Sequence, residues 1–293
     1  MTSFLITGGG GLVGSEFGHL ATDRKWEAKI TALSHEQCDI LNQDQIRSCL
    51  AQFKPDVLIN CAAYREVDKA ETERDQASRL NVEGPRLLAR ACRQAGVKLV
   101  HFGSHGIFDG EKNGPYLESD PAKPLHHYGR TKREGEQAVE AELPPNQRLI
   151  LRIAWPYGRQ NNNFIGAILK KARSSPNVSV VSDQVAVASP ARLIALKTLE
   201  IAAEAEGLLH LSCTGQCSRY ELMALVFDRL GLNCKIIPAL ARDFPALAPR
   251  PKNMAIATER TDWAGRLAMP DWKEALLDFT DREGFEGMER GRL

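Results

Sequence analysis

The sequence has no excess of one charge and no long apolar run. Its 293 residues carry 38 lysines and arginines against 37 aspartates and glutamates, a formal net charge of +1. This balance predicts no basic surface for nucleic acid or for an anionic membrane. No apolar stretch approaches the roughly 18 residues of a membrane span, and no secretory signal pattern precedes the first strand-like run. We therefore expect a cytoplasmic protein without nucleic-acid or membrane partners.

Close cysteine pairs of the CxxC type are also missing. The seven cysteines are an odd number, and Cys213 and Cys217, four residues apart, have no second pair of ligands with zinc-site spacing. We expect seven reduced thiols, most of them buried, and no metal site.

Apolar runs alternate with helix-like segments through the first half of the chain. The runs FLIT (4–7), DVLIN (56–60), KLVHFG (98–103) and RLILRIA (148–154) are short and rich in branched residues, as strands are. Between them, apolar residues recur at the spacing of one helix face. This alternation predicts an α/β fold, a Rossmann-type doubly wound parallel sheet with helices on both faces.

The pattern changes after residue 161, which indicates a second, smaller unit. We assign 1–161 to a nucleotide-binding Rossmann domain and expect 182–218 to return to it. Residues 162–181 and 219–293 would form a smaller C-terminal substrate-binding lobe. Such a lobe would cover the carboxyl edge of the sheet, where open α/β sheets bind ligands.

A glycine-rich loop, TGGGGLVGSE (7–16), follows the first strand and begins the first helix. Gly8, Gly11 and Gly14 have the GxxGxxG spacing of short-chain dehydrogenases. Without Cβ atoms the chain can turn tightly and approach a pyrophosphate, and the helix N-terminus offers free N–H groups. A tight turn without a ligand is the alternative. We expect Gly8, Gly11, Leu12, Val13 and Gly14 to bind a nicotinamide dinucleotide.

The end of the second strand bears on the choice between NADPH and NADH. An NAD-binding protein usually has Asp or Glu about 20 residues after the glycines, where it binds the ribose 2′-hydroxyl. Ser34 and His35 stand there instead, so the acid that repels a 2′-phosphate is absent and His35 could bind one. We expect NADPH, with NADH as the alternative. Asp39 and Ile40 could border the adenine, although Asp39 is equally suited to cap a helix.

The segment YGRTK places Tyr128 and Lys132 four residues apart at the start of a helical pattern. Residues at this spacing share a helix face. A nearby ammonium group would favour the phenolate and lower the pKa of Tyr128 towards neutrality, as proton transfer requires. The lysine could also bind the nicotinamide ribose. The alternative is an aromatic ring packed on a lysine side chain.

Ser104 ends the fourth strand in HFGSHGIFDG (101–110). Its hydroxyl could bind a carbonyl oxygen against Tyr128. A hydrolase nucleophile would need a G-x-S-x-G turn that begins a helix, which is absent here. A zinc site would need further ligands beside His101 and His105. A serine that only shapes the turn, without a catalytic role, is the alternative that stays open.

The motifs together resemble an extended short-chain dehydrogenase/reductase, and more narrowly the dTDP-4-dehydrorhamnose reductase family. The resemblance runs over nearly the whole chain, in the stretches DVLINCAAYREVDKAE, RLNVEGPRLLARAC, GPYLESDPAKPLHHYGRTKREGE, LRIAWPYG and RPKN. It implies hydride transfer from NADPH or NADH to the 4-keto carbon of a nucleotide-linked deoxy sugar. It thus implies a small keto-sugar nucleotide as partner, and a homodimer is a further option.

The resemblance also implies roles for individual residues. Ser104, Tyr128 and Lys132 fall on the catalytic positions of the family. Beside the cofactor it places Cys61, Ala62, Ala63, Asn81 and Ile153. Near the substrate it places Arg65, Val67, Trp155, Asn163, Arg250 and Asn253.

Three departures from the family pattern cluster where the sugar should lie. His105 and Gly106 replace an Asp-Tyr pair, Arg65 replaces a threonine, and AVAS (186–189) replaces GAPT. We expect His105 and Gly106 to face the substrate and to leave extra space. Arg65 would meet a charged substituent or a phosphate, or be a surface charge.

Four alternative functions follow from the same motifs. A nucleotide-sugar dehydratase is disfavoured, because His105 and Gly106 cannot replace the Asp-Glu pair that such enzymes place after the hydroxyl. A nucleotide-sugar epimerase and a reductase of a non-nucleotide ketone stay open. A non-catalytic NADP-binding role, like that of the regulatory β subunit of methionine adenosyltransferase, also stays open, because fold does not fix function.

Overall fold

The strands and helices alternate along most of the chain. The structure is a computed structural model that describes residues 1–23, 28–160 and 163–285. Its strands are β1 (Ser3–Thr7), β2 (Lys29–Ala32), β3 (Val57–Asn60), β4 (Lys98–Ser104), β5 (Arg148–Ile153), β6 (Pro156–Tyr157), β7 (Asn177–Val181), β8 (Val185–Ala186), β9 (Ser189–Pro190), β10 (Gly207–His210), β11 (Cys217–Ser218) and β12 (Lys235–Ala239). Its α-helices are α1 (Gly14–Ala21), α2 (Gln43–Phe53), α3 (Arg74–Ser78), α4 (Gly84–Ala95), α5 (His127–Glu142), α6 (Phe164–Ala172), α7 (Ala191–Ile201), α8 (Arg219–Leu230), α9 (Ala264–Leu267) and α10 (Trp272–Arg282).

Six parallel strands form the central sheet, in the order β10-β5-β4-β3-β1-β2. The chain runs outwards from β1 to β2 and then continues on the other side of β1 with β3. At this reversal Thr7 of β1 is in register with Asn60 of β3, so both strands end at the same edge. The reversal opens a crevice at the carboxyl ends, as in other doubly wound sheets. The predicted Rossmann-type α/β fold is confirmed.

The sheet is buried on both faces because its apolar side chains alternate between them. Leu5, Leu58 and Leu99 belong to a core with residues of α2 and α4. Their neighbours Ile6 and Val100 belong to a second, larger core with residues of α1 and α7. A strand with apolar residues at every position fits this arrangement, since successive side chains point to opposite faces.

A set of smaller elements lies outside the central sheet. The strands β7 and β12 pair in parallel, and α6 and α8 contact β7. The predicted return of the chain to the sheet is visible in β10, which pairs with β5. The division into two domains stays a prediction; its boundary at 161–162 and its final residues, 286–293, lie outside the described residues.

Three further sequence expectations concern membrane spans, thiols and metal sites. None of the described helices is long and apolar enough to span a membrane. All seven cysteines are free thiols, and five are buried. Across the described ranges, no group of three or more metal-ligating side chains occurs.

Candidate active site

A cleft opens at the carboxyl edge of the sheet, beside the reversal in strand order. It has a volume of about 570 Å³. The glycine loop, the loop after β3, the end of β4 and the first turn of α5 line it. The predicted cofactor and catalytic residues in this lining are Gly8, Gly11, Leu12, Val13, His35, Cys61, Ala62, Ala63, Ser104, Tyr128, Lys132 and Ile153.

The glycine loop between β1 and α1 fits a dinucleotide. Gly8 has a φ of +71°, and a Cβ there would lie 2.6 Å from the backbone nitrogen of Ala62. A Cβ at Gly14 would overlap the carbonyl oxygen of Gly8. α1 begins at Gly14 without a side-chain cap, and the amides of Ser15 and Glu16 donate to the carbonyl oxygens of Gly11 and Val13. The positive end of the helix dipole at Gly14 favours a pyrophosphate there.

Five residues that we predicted beside the cofactor are outside the lining of the cleft, namely Gly14, Ser34, Asp39, Ile40 and Asn81. Ile40 is only 2% exposed, and it packs so closely on Gly84 that a Cβ there would overlap it. The carboxylate of Asp39 accepts a hydrogen bond from the amide of Leu41, 2.9 Å away, and therefore shapes its own turn. Ser34 is also outside the lining. The side chain of Ile40 belongs to the core, and its contact with an adenine stays a prediction.

Asn81 is the last of these residues, and its hydrogen bonds hold two segments of the chain together. It lies in a π-helical turn between α3 and α4 and is 1% exposed. Its Oδ1 accepts from the Tyr64 amide at 2.9 Å, and its Nδ2 donates to the Tyr64 carbonyl and to Thr131 Oγ1, each at 3.0 Å. With these bonds Asn81 ties the loop after β3 to α5. A direct contact of Asn81 with the cofactor stays a prediction.

Ser104 and Tyr128 face each other across the cleft. Ser104 is the last residue of β4 and is 4% exposed, and its Oγ accepts from the amide of Gly106 at 3.1 Å. Tyr128 is the second residue of α5. Burial raises the pKa of the Tyr128 phenol, and its hydrogen bond with Ser104 acts in the opposite direction. The phenol is therefore protonated at neutral pH and can donate a proton.

Lys132 lies one helical turn after Tyr128 on the same side of α5. Its Nζ donates to the carbonyl oxygen of Phe102 at 2.7 Å, and the residue is 3% exposed. Burial lowers the pKa of Lys132 to about 8, while Glu136 acts in the opposite direction. The structure does not show the expected lowering of the Tyr128 pKa by Lys132, because the desolvation of the phenol dominates.

Residue 106, in the turn after β4, is a glycine that lies close to both Ser104 and Tyr128. A Cβ at Gly106 would lie 3.3 Å from Ser104 Oγ and 3.5 Å from Tyr128 Cε1. A larger side chain would therefore press on both catalytic groups. The neighbouring His105 lines the cleft, and its Nδ1 lies 3.1 Å from the carbonyl oxygen of Ile153. This contact requires a proton on Nδ1, so Nδ1 of the neutral ring is a donor.

We expect the protein to lose stability as the pH falls from about 6.5 to 4. Burial is the main cause that lowers the pKa of His105 and of His126 to about 4. The unfolded chain, with pKa values near 6.5, therefore binds more protons in this range, and stability falls. The cost at pH 4 is on the order of 3 kcal/mol for each histidine.

Urea unfolding at pH 7, 5.5 and 4 measures this loss, with His105→Gln against wild type. The variant should lose less stability on acidification. His19→Gln, at an exposed position of α1, is the matched control. An equally steep loss in His105→Gln and wild type would refute the role of His105.

The predicted substrate residues divide into two groups. Arg65 and His105 line the cleft, and Arg65 lies 3.6 Å from the carboxylate of Glu66. Outside the lining lie Val67, Gly106, Trp155, Asn163, Arg250 and Asn253. Of the residues outside the lining, Gly106 still borders the cleft, because a Cβ there would lie 3.3 Å from Ser104 Oγ.

The side chains of Asn163 and Asn253 form hydrogen bonds with the backbone of neighbouring segments. Asn163 caps α6, where its Oδ1 accepts from the amide of Gly166 and its Nδ2 donates to the Gly158 carbonyl. Asn253 Nδ2 donates to the carbonyl oxygens of Lys112 and Gly114. In this structure Asn163 and Asn253 shape the backbone, and their contact with a substrate stays a prediction.

The sequence interpretation missed several residues of the lining. They are Gly10, Leu80, Phe102, Gly103 and Pro156. Gly10 and Gly103 directly adjoin predicted motifs and could have been found from that position. Leu80 lies in the recognised stretch RLNVEGPRLLARAC, directly before Asn81, and could also have been found from that position.

Known proteins resemble this chain over almost its whole length. The family described as RmlD substrate binding domain matches residues 1–284. A relative from Streptomyces antibioticus, named a probable dTDP-4,6-dihydroxy-2-methyloxan-3-one 4-ketoreductase, is 34% identical and covers 94% of this chain and 93% of its own.

Two solved structures are similar in fold and in sequence. A dTDP-4-dehydrorhamnose reductase of Clostridium acetobutylicum superposes with a TM-score of 0.89 at 32% identity, covering 96% of this chain and 99% of its own. One of Bacillus anthracis, in complex with NADP, has a TM-score of 0.88 at 29% identity with the same coverage. The sequence resemblance is confirmed, and the chain belongs to the RmlD substrate binding domain family.

Proposed function

We propose that the protein is an NADPH-dependent oxidoreductase that reduces the keto group of a nucleotide-linked deoxy sugar. The observation that carries this proposal is the meeting of Ser104, Tyr128 and Lys132 with the glycine loop in one cleft. The names of the relatives, which are ketoreductases of dTDP-linked sugars, support the substrate class. The cytoplasm, where thiols stay reduced, suits its seven free cysteines.

The chain's own residues supply the proton and the orientation of the substrate. When bound, NADPH supplies a hydride to the carbonyl carbon. Ser104 donates a hydrogen bond to the carbonyl oxygen and holds it beside Tyr128. Tyr128 transfers its proton to that oxygen, so hydride and proton together convert the ketone to an alcohol. Lys132, protonated at neutral pH, binds the ribose from its position at the Phe102 carbonyl.

We expect NADPH to bind at least about tenfold more tightly than NADH, since a charge-assisted hydrogen bond to the 2′-phosphate contributes of that order. His35 lines the cleft and is 73% exposed, so its ring can reach a ligand. Replacing it with aspartate should reverse the preference, because a carboxylate repels the phosphate and accepts from a 2′-hydroxyl. Fluorescence titration of both cofactors measures the ratio. His19→Asp is the control, and an NADH preference in wild type would contradict the assignment.

The reaction itself is tested by following NADPH oxidation with a panel of dTDP- and UDP-linked keto sugars and free keto sugars. Turnover of a nucleotide-linked member, with little turnover of the free sugars, is the expected result. Turnover of free ketones alone would exclude the nucleotide. The absence of turnover on every ketone, together with a stably bound partner enzyme, would exclude catalysis.

A further inference from the structure

The Arg219 guanidinium has no anionic partner among the residues that the structure describes. Arg219 is the first residue of α8, and its Nε atom is buried without a hydrogen-bond partner. Within the described part of the chain, no carboxylate lies within ion-pair distance of it. A buried charge is costly unless something pairs with it. An unpaired guanidinium beside an open cavity is therefore a candidate ligand-binding group.

Two aromatic rings fix the plane of this guanidinium. The Cζ atom of Arg219 lies 4.9 Å from the ring centre of Trp155 and 4.4 Å from that of Phe164. Cations are attracted to the faces of such rings. Trp155 has a φ of +25°, an unfavourable value for a residue with a side chain, so its position is imposed by the surrounding fold. The guanidinium is thus pre-oriented, and little freedom is lost when a ligand binds.

The carboxylates of Glu221, two residues along α8, and of Asp68, beside Arg250, have other partners. Glu221 accepts from the amide and from the hydroxyl of Ser218, and so completes the cap of α8. Asp68 pairs with Arg250 Nη2 at 2.7 Å. Arg219 and Arg250 both line a cavity of about 250 Å³. Arg219 and Arg250 carry two positive charges and Asp68 one negative charge, so these three side chains together have a net charge of +1.

Arg219 and Arg250 also lie close to two histidines, His105 and His126, that are near the catalytic residues in the sequence. Arg219 contributes to the lowered pKa of His105, and Arg250 contributes to that of His126. Burial lowers the pKa of Arg219 to about 10, so the side chain is charged at neutral pH. A substrate whose ketone lies at Tyr128 therefore has a cation within reach of its other substituents.

We propose that Arg219 determines specificity by binding an oxyanion of the substrate in this second cavity. The inference rests on the proposed function, since a nucleotide-linked sugar brings two phosphates to the site. A guanidinium can bind phosphate or carboxylate oxygens through two parallel hydrogen bonds. The diphosphate and a carboxylate on the sugar are thus two sources of the same chemistry, which the experiment separates.

Calorimetric titration of the full chain with bound NADPH tests the inference, using dTDP, thymidine and D-glucuronate as probes. Arg219→Met keeps the apolar side chain between the rings and removes the charge. We expect it to weaken dTDP binding by roughly 10- to 100-fold, the contribution of a hydrogen bond to a charged group, and to leave thymidine binding unchanged. Arg229→Met is the matched control, because Arg229 lies on the same helix and pairs with Asp281.

Each of the other possible results of these titrations also decides between the alternatives. Weaker glucuronate binding with unchanged dTDP binding would keep the oxyanion site and assign it to a sugar carboxylate. Affinities within about twofold of wild type for both anions would overturn the inference. If wild type binds no dTDP, the nucleotide part of the proposed function fails, and the glucuronate titration still decides the role of Arg219. Should Arg219→Met not fold, Arg219→Gln serves the same comparison.

Discussion

Replacing Tyr128 with phenylalanine is expected to lower kcat by roughly 10²- to 10⁴-fold, the usual contribution of a positioned general acid. The variant keeps the ring and removes only the hydroxyl that faces Ser104 in the cleft. Lys132 and the glycine loop are untouched, so NADPH should bind with nearly the affinity of wild type. Single-turnover oxidation of bound NADPH, together with a titration of the cofactor, separates the two effects.

A matched control exists on β6. Within the described residues the Tyr157 hydroxyl is buried without a hydrogen-bond partner, and its ring packs against Phe279 at 5.3 Å between ring centres. Tyr157→Phe removes the same atom away from the cleft and should keep kcat within about twofold, since no hydrogen bond is lost. Near-normal turnover in Tyr128→Phe would exclude the phenol as the proton donor.

The second large effect concerns stability. Glu136 and Arg152 are a buried ion pair under the cleft, with 0% and 3% of their side chains exposed. Arg152 Nε and Nη2 donate to the two Glu136 oxygens at 3.0 and 2.9 Å. Glu136→Leu would leave Arg152 buried and unpaired, which typically costs about 3–5 kcal/mol of the free energy of unfolding. Urea denaturation of wild type and variant measures the loss.

The double variant Glu136→Leu/Arg152→Met is the informative control. It removes both charges, so most of the lost stability should return, since apolar residues often replace buried ion pairs without cost. A double variant as unstable as Glu136→Leu alone would show that the loss comes from packing or from Arg133, which also pairs with Glu136 at 2.9 Å, and not from the unpaired charge of Arg152. Glu136 also opposes the lowered pKa of Lys132. We therefore expect Glu136→Leu, if folded, to lose activity at a lower pH than wild type on the alkaline side.

The parts of the site that sequence reasoning placed in the cleft belong to short local motifs. Gly8 and Gly11 lie in one strand–turn–helix unit, and Tyr128 and Lys132 in two turns of one helix. Their relative positions follow from backbone geometry over a few residues, so spacing alone predicts them. The same reasoning placed Asn81 beside the cofactor, because a motif tells which turn a residue occupies but not which way its amide points.

The second cavity shows the limit of that reasoning. Arg219 meets Trp155 and Phe164 from more than 50 residues away along the chain, and no spacing rule connects them. The pKa of Lys132 is equally inaccessible from YGRTK, because desolvation by distant elements sets it. Sequence alone thus established the Rossmann fold, the glycine loop and the Ser–Tyr–Lys set, whose geometry is local or encoded by alternating apolar runs. The packing of distant segments decided which charges are buried, which are paired, and that no carboxylate of the described residues pairs with the Arg219 guanidinium.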